Sequence, residues 1–238
     1  MSFLKKLFGQ KESLESKLPT NLPPATSVQQ LLEMYGGIIL EKQRNFEELI
    51  GDRSWRFEMA TGEISFGNDL HFPVQILGTW SSGTWLAAWA NDKSGIPASL
   101  LEQTFLLKKY GEENNIDLLR IATFEGDKNE GLIISMIASG LFESGCYYAA
   151  DYGDGIMFVT IAAKFLHQAA TDSHQKAFAL FSQLISVFDV NHKKAFRNYL
   201  KAKGYDVTEE GSVVYGMKDS LAIIGDFDDA DRLVSLKG

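Results

Sequence analysis

The chain has 238 residues, of which 45% are hydrophobic and 23% charged, and its formal net charge at pH 7 is −8. This length is enough to bury a sizeable core, in one large domain or in one domain with an appendage. A pI of about 5.1 excludes nucleic acid as a general partner, because binding a phosphate backbone requires clustered Lys and Arg.

The first 26 residues are predicted to be a flexible tail and linker. Residues 1–9 form a short amphipathic segment in which apolar side chains flank Lys5 and Lys6, and prolines follow. Such a segment can touch a membrane surface or dock on a partner. A frayed tail that packs locally is the favoured interpretation, because so short a helix binds a membrane weakly by itself.

The main domain is predicted to span residues 27–190 and to begin with a helix over residues 27–50. Ser27 and Gln30 form a capping-box pattern, and apolar residues recur at helical spacing as far as Leu49. Gly36 and Gly37 interrupt this pattern. The pair is compatible with a kink, with the close approach of another helix, or with simple tolerance of glycine.

A four-stranded antiparallel meander is predicted next, and it holds all four tryptophans of the chain. Turn residues at 61–62, 67–69 and 82–83 and the alternation of apolar residues set its register and place the tryptophans on one face. The predicted cross-strand pairs are Met59–Ile64, Phe57–Phe66 and Trp55–Asn68, then Phe66–Leu70 and Ile64–Phe72, then Trp80–Trp85, Gly78–Ala87 and Ile76–Trp89.

Helices and short strands alternate in the rest of the chain. After the meander, the pattern predicts a helix over 97–113, a strand over 117–124, a helix over 129–142, a hairpin over 145–162 and a helix over 171–189. Residues 191–238 are predicted to form a small C-terminal α+β appendage, with a basic helix at 193–203 and a meander that pairs Val207 with Val214 and Val214 with Ile223. The predicted fold class is α+β with a predominantly antiparallel sheet covered by helices.

Signatures of catalysis and metal binding are sparse. The chain lacks the G-x-S-x-G, Walker and H-E-x-x-H motifs, and its four histidines are scattered. Cys146, the only cysteine, is predicted to be a core thiol, so neither an intrachain disulfide nor a cysteine-based zinc site can form. The acidic run 226–231 lacks the glycine and the glutamate of a calcium loop. We therefore predict no catalytic residue, no metal site and no cofactor.

Two groups of residues are candidates for binding a ligand or partner. His71 and Gln75 are predicted on the polar reverse face of the meander near Glu58, where a solvated sheet face is the simpler interpretation. Trp85 and Trp89 could form an aromatic wall, but most aromatic sheet faces are covered by helices, which favours core packing.

The meander also carries a resemblance to a known family. The segments FPVQILGT at 72–79 and GTWLAAWAN at 83–91, together with Trp55-x-Phe57, MIASG at 136–140 and CYY at 146–148, resemble an uncharacterised bacterial domain-of-unknown-function family over about residues 27 to 165. This resemblance implies a bacterial cytosolic protein with a shared fold, and it implies no activity.

Two functional interpretations stay open. The favoured one is a non-catalytic cytoplasmic binding or interaction protein, immunity-like or regulatory, with a protein partner; it follows from the acidic, aromatic-rich composition and the absence of catalytic motifs. The alternative is a small-ligand binder or enzyme with a pocket at the Trp-rich meander. The absence of a secretory signal and of an apolar run long enough to span a bilayer supports the cytoplasmic assignment.

Overall fold

The computed structural model describes residues 22–171 and 174–238, and it shows an α+β fold built on antiparallel sheets. The predicted amphipathic tail at residues 1–9 lies outside the described residues. No helix in the described part of the chain combines the length and apolar character needed to cross a membrane. The helices are α1 (Val28–Ile50), α2 (Glu102–Asn114), α3 (Asp117–Arg120), α4 (Lys128–Leu141), α5 (Phe165–Thr171), α6 (Lys176–Val187) and α7 (His192–Ala202), with 3-10 turns at Ala88–Ala90 and Ala98–Leu100.

The described strands form two sheets. One sheet contains β1 (Trp55–Glu58), β2 (Glu63–Phe66), β3 (Leu70–Ser81), β4 (Thr84–Ala87), β5 (Thr123–Glu125), β6 (Cys146–Asp151) and β7 (Ile156–Ile161). The other contains β8 (Asp206–Glu210), β9 (Val213–Lys218), β10 (Leu221–Phe227) and β11 (Leu233–Lys237) in the order β11-β10-β9-β8. The predicted α+β class and the C-terminal meander are thus confirmed.

The long strand β3 is the centre of the larger sheet. Its first residues pair with β2, its last residues pair with β4, and its other edge pairs with β7. β5 extends the sheet beyond β4, and β6 extends it beyond β7. A strand paired along both edges is largely buried, and only the two ends of β3 reach the surface.

A β-bulge at Leu77 divides the apolar side chains of this sheet between two cores. In the pairing of β3 with β7, Ile76 lies opposite Val159 and Gly78 lies opposite Phe158, so Leu77 is an extra residue. Val74 and Ile76, before the bulge, therefore belong to one core, whereas Trp80, beyond the bulge, packs on the other core together with Leu77 and Trp85.

The prediction that all four tryptophans share one face is wrong. Trp55 packs on the core that contains Ile76, while Trp80 and Trp85 pack with the opposite core. Trp89 leaves the sheet in a 3-10 turn, so the predicted Ile76–Trp89 pair does not form. The bulge is the physical reason, because one inserted residue reverses the alternation beyond it.

The predicted register is correct for the middle of the meander. The pairs Phe66–Leu70 and Ile64–Phe72 form, as do Trp80–Trp85 and Gly78–Ala87. The ring of Trp85 lies over Gly78, where an added Cβ would sit 2.4 Å from the ring. The first hairpin is displaced: Phe57 pairs with Ile64 and Glu58 with Glu63, because the loop spans residues 59–62 instead of two residues.

Helix α1 is continuous through its two glycines, which allow other helices to approach closely. An added Cβ at Gly37 would lie 2.6 Å from the Tyr199 ring of α7, and one at Gly36 would lie 2.7 Å from Leu184 of α6. The helix begins as predicted, with the Ser27 side chain accepting a hydrogen bond from the Gln30 backbone N–H.

Three expectations for the second half of the chain need correction. A helical turn replaces the first part of the strand predicted at 117–124, because Asp117 and Arg120 pair at the spacing of one turn. The helix predicted over 171–189 is the shorter helix α6, and the sequence did not predict the separate helix α5 that precedes it. In the C-terminal meander, the two-residue loops lie at 211–212 and 219–220, each one residue later than predicted, so Val207 lies opposite Gly216 and Val214 lies opposite Gly225. The strand β11 adds a fourth strand.

The C-terminal elements share a core with the rest of the chain. Phe196, Tyr199 and Val214 are buried in the same cluster as Leu31 and Ile39 of α1. The predicted division of the chain at residue 190 stays a prediction.

Candidate binding cleft

A cleft of about 580 Å³ opens between α1, the turn from α4 to β6, and the start of α5. Ligand sites occupy cavities of about 300–1,000 Å³ with mainly apolar walls and a few polar groups. The apolar lining residues are Leu22, Pro23, Ile38, Ile39, Leu141, Phe142 and Ala202, and the lining side chains with polar groups are Tyr35, Lys42, Glu143, Ser144, Lys164 and His167. Size and lining make this cleft the candidate functional site.

Lys42 is the central polar group of the cleft. Its side chain projects from α1, the residue is only 5% exposed, and its Nζ donates a hydrogen bond to the Ser144 carbonyl oxygen at 3.1 Å. No carboxylate in the described ranges 22–171 and 174–238 forms an ion pair with it. Burial lowers the pKa of Lys42 from 10.5 to about 8. Charges are rarely buried without a partner, so this ammonium is an unusual group.

The neighbouring residue Glu41 cannot serve as the counter-ion, because its carboxylate already binds Tyr199 and Lys203. Its Oε2 lies 2.7 Å from the Lys203 Nζ and accepts a hydrogen bond from the Tyr199 hydroxyl at 2.5 Å. Glu41 and Lys203 are fully buried, and Lys203 also donates to the carbonyl oxygen of Ala170. Burial and the Glu41 carboxylate raise the pKa of Tyr199. Lys203 therefore has a carboxylate as its counter-ion, whereas the hydrogen-bond partner of Lys42 is a neutral carbonyl oxygen.

The Glu143 backbone forms part of the cleft mouth in a conformation that favours glycine. Glu143 has a φ of 52° and follows α4, while the Ser144 N–H donates to the Ser139 carbonyl oxygen. A left-handed residue is a common helix end, but it is usually glycine. This backbone turn points the Ser144 carbonyl toward Lys42. Non-glycine residues held in this region often lie at functional sites.

Two further titratable groups line the cleft. Burial, together with the nearby Tyr110 and Glu143, raises the pKa of Tyr35 to about 12. Partial burial and the nearby Lys42 lower the pKa of the His167 imidazole, against the opposing effect of Glu143. At pH 7 the Tyr35 side chain is therefore a neutral hydroxyl and the imidazole is mostly neutral, so Lys42 supplies the buried positive charge.

A network of buried amides and hydroxyls supports the other side of Ser144. The Gln103 amide donates to the Ser144 hydroxyl at 3.4 Å and accepts from the Thr160 hydroxyl at 2.6 Å. Gln75 accepts from the Gln103 backbone N–H and donates to the Ser99 carbonyl oxygen. A cavity of about 50 Å³ adjoins this network and shares Ser144 with the cleft. These contacts hold the Ser144 backbone, and with it the carbonyl that binds Lys42.

Gln75, His71 and Glu58, the polar residues predicted to form a binding site, lie in two different environments. Gln75 is 5% exposed and bonded as described, whereas His71 and Glu58 are exposed on the outer part of the sheet. His71 lies opposite Ser65, and Glu58 lies opposite Glu63 at the edge hairpin. The structure does not bring the three side chains together, and a binding role for His71 and Glu58 stays a prediction.

The two tryptophans proposed as an aromatic wall also lie apart. Trp85 is 2% exposed, with its ring centroid 6.2 Å from that of Phe124 and 5.6 Å from that of Phe158. Trp89 is half-buried, and the Lys108 Nζ lies 4.5 Å from its ring centroid. Trp85 therefore packs in the core, as the favoured interpretation of the sequence holds.

The sequence did contain a signal for Lys42, although that residue was not predicted as part of a site. Lys42 lies four residues after Ile38 and four residues before Phe46, on the apolar stripe of the first helix. A lysine at such a position either buries its charge or extends its side chain until the ammonium group reaches solvent. Within the described residues, no cluster of three or more His, Cys, Asp or Glu side chains could hold a metal ion.

Comparison of the sequence with models of protein families gives a match. A model of a family of unknown function, DUF6882, matches residues 29–164, which is more than half of the chain. The chain belongs to this family. The matched range contains Lys42, Ser144 and the segments 72–79 and 83–91, and it agrees with the extent expected from the resemblance. No curated protein and no solved structure gives a significant match.

Proposed function

We propose that this chain is a non-catalytic binding protein of the bacterial cytosol whose partner is another protein, and that the partner inserts a short apolar segment into the cleft. The observation that carries the proposal is the cleft of about 580 Å³, whose walls include the buried apolar side chains of Ile38, Ile39 and Leu141. The absence of catalytic motifs from the sequence supports binding over catalysis.

Site-specific photo-crosslinking in cells tests this proposal. A photoreactive residue replaces Glu143, which is exposed at the cleft mouth, and in a second strain it replaces Glu58 on the edge hairpin. We expect a specific crosslinked protein from position 143. The same crosslink should disappear when Ala202→Trp fills the cleft, since Ala202 lines it.

The two positions distinguish the possible binding surfaces. A crosslink from position 58 alone would move the binding surface to the region of His71 and Glu58 and overturn the cleft as the docking site. A crosslink at 143 that survives Ala202→Trp would show that the partner passes the mouth without entering the cleft. If neither position 143 nor position 58 gives a crosslink, the protein-partner proposal is contradicted.

A further inference from the structure

In the described part of the chain, Lys42 and Lys203 are deeply buried, and they differ in their partners. Lys203 is ion-paired with Glu41 at 2.7 Å, whereas Lys42 has one carbonyl oxygen as its partner at 3.1 Å. An ammonium group has three N–H donors. Lys42 therefore keeps two donors and an uncompensated charge at a position that lines the cleft.

We infer that the cleft binds a carboxylate carried on an apolar group, specifically the C-terminal carboxylate of the inserted protein segment, and that Lys42 is its ion-pair partner. This inference rests on the proposed function, because it names what the inserted segment must carry. It goes further because it assigns recognition of the carboxylate to the Lys42 side chain and its positive charge.

The electrostatics of the cleft favour an anion. Lys42 and Lys164 contribute two positive charges to the lining, and among the described residues Glu143 is the one acidic side chain that opposes them. Lys164 and Glu143 are both exposed, so solvent screens both charges, whereas Lys42 lies among buried side chains where an ion pair is strongest. The buried charge in the cleft lining is therefore positive.

The apolar walls restrict what can carry the carboxylate. Ile38, Ile39, Leu141 and Phe142 are each at most 5% exposed and line the same cleft as Lys42. A polar carrier would lose its hydration without replacement. A phosphate group brings up to two charges and is usually bound by arginine clusters, which this lining lacks. One ammonium among aliphatic and aromatic side chains matches one carboxylate beside an apolar side chain.

The single buried ammonium in a mainly apolar cleft suits a chain end better than an internal acidic residue. An internal residue needs room for chain on both sides, whereas a C-terminal residue enters with its carboxylate and its last side chain leading. Capture of a C-terminal carboxylate is an established mode of peptide recognition. The Ser144 carbonyl, held by the network around Gln103, keeps the Lys42 ammonium in place for such a ligand.

Isothermal titration of the full chain with matched peptides tests the inference. The probes are N-acetylated Gly-Gly-Leu-Leu with a free C-terminal carboxylate, the same peptide as its amide, and octanoate as a free small carboxylate. We expect the free acid to bind at least about 10-fold more tightly than the amide, a factor that corresponds to about 1.4 kcal/mol. Lys42→Met should weaken the acid to the level of the amide and leave the amide unchanged. Lys93→Met, the matched control at an exposed lysine outside the cleft lining, should change acid binding by less than about 3-fold.

Each outcome separates the inference from the proposed function. Equal affinity for acid and amide, with both lost in Ala202→Trp, would overturn the carboxylate and leave the apolar cleft as the docking site. Tight binding of octanoate with no binding of either peptide would support the Lys42–carboxylate pair and replace the protein terminus by a free small ligand. Failure of all three probes, in a wild-type chain shown to be folded by circular dichroism, would overturn both proposals.

Discussion

Replacing Lys42 by methionine is expected to stabilise the folded protein at neutral pH. Burial lowers the pKa of this lysine from 10.5 to about 8, and one pKa unit corresponds to about 1.4 kcal/mol. The buried charge thus destabilises the folded state by about 3 kcal/mol. Methionine keeps the volume and loses the hydrogen bond to Ser144, which costs about 1 kcal/mol. The expected net gain at pH 7 is about 2 kcal/mol.

The sign of the effect depends on pH in a defined way. The folded-state pKa lies below the unfolded-state value, so the destabilisation is fully present below pH 8 and declines as the pH rises toward 10.5. The stability advantage of Lys42→Met should therefore shrink by about 2 kcal/mol between pH 7 and pH 9.5. The tyrosines with raised pKa values are common to both proteins and cancel in the difference.

Urea unfolding followed by tryptophan fluorescence measures this difference. The wild type, Lys42→Met and Lys93→Met are compared at pH 7 and pH 9.5, and replacing the exposed Lys93 should change stability by no more than about 0.5 kcal/mol. If Lys42→Met is less stable than the wild type at pH 7, or if the difference is the same at both pH values, Lys42 is not an uncompensated buried charge and the reasoning fails. A gain in stability together with a loss of binding is the combination expected when a residue is retained for function.

Three further predictions concern the surroundings of the cleft. Lys203→Met should destabilise the protein by about 3–5 kcal/mol in urea unfolding, because it leaves the fully buried Glu41 carboxylate without its ammonium; adding Glu41→Gln should recover part of the loss, and a loss below 1 kcal/mol would contradict this. Gly37→Ala should lower the Tm by several degrees, because overpacking against Tyr199 costs about 1–3 kcal/mol and outweighs the gain in helix propensity; a higher Tm would refute the close approach. Glu143→Gly should raise stability by about 1 kcal/mol in the same unfolding assay by relieving the left-handed backbone, and an unchanged or lower value would show that the turn is not strained.

Local signals predicted much of the fold. Ser27 marks the start of α1, and the turn at Ser82-Gly83 sets the pairing of Trp80 with Trp85. Each of these features depends on residues close together in the chain. The first hairpin was displaced because its loop is longer than the Thr61-Gly62 signal suggests, and loop length is a weak property of sequence.

The candidate site was less predictable than the fold. The predicted residues lie on the meander, because aromatic and polar alternation is visible in the sequence there. The cleft instead collects residues from distant parts of the chain, among them Pro23, Lys42, Ser144 and His167. No local pattern reports which of these segments meet.

The sequence by itself determined the α+β class, most helices, the centre of the meander and the placement of a lysine on the apolar stripe of α1. The tertiary structure alone decided which face each tryptophan occupies, since the bulge at Leu77 arises from pairing with a strand some 80 residues further along. It also decided that Glu41 pairs with Lys203 while the adjacent Lys42 stays uncompensated. The physical reason is the same in both cases: alternation and capping act over a few residues, whereas register and charge compensation depend on partners that only the folded chain brings within reach.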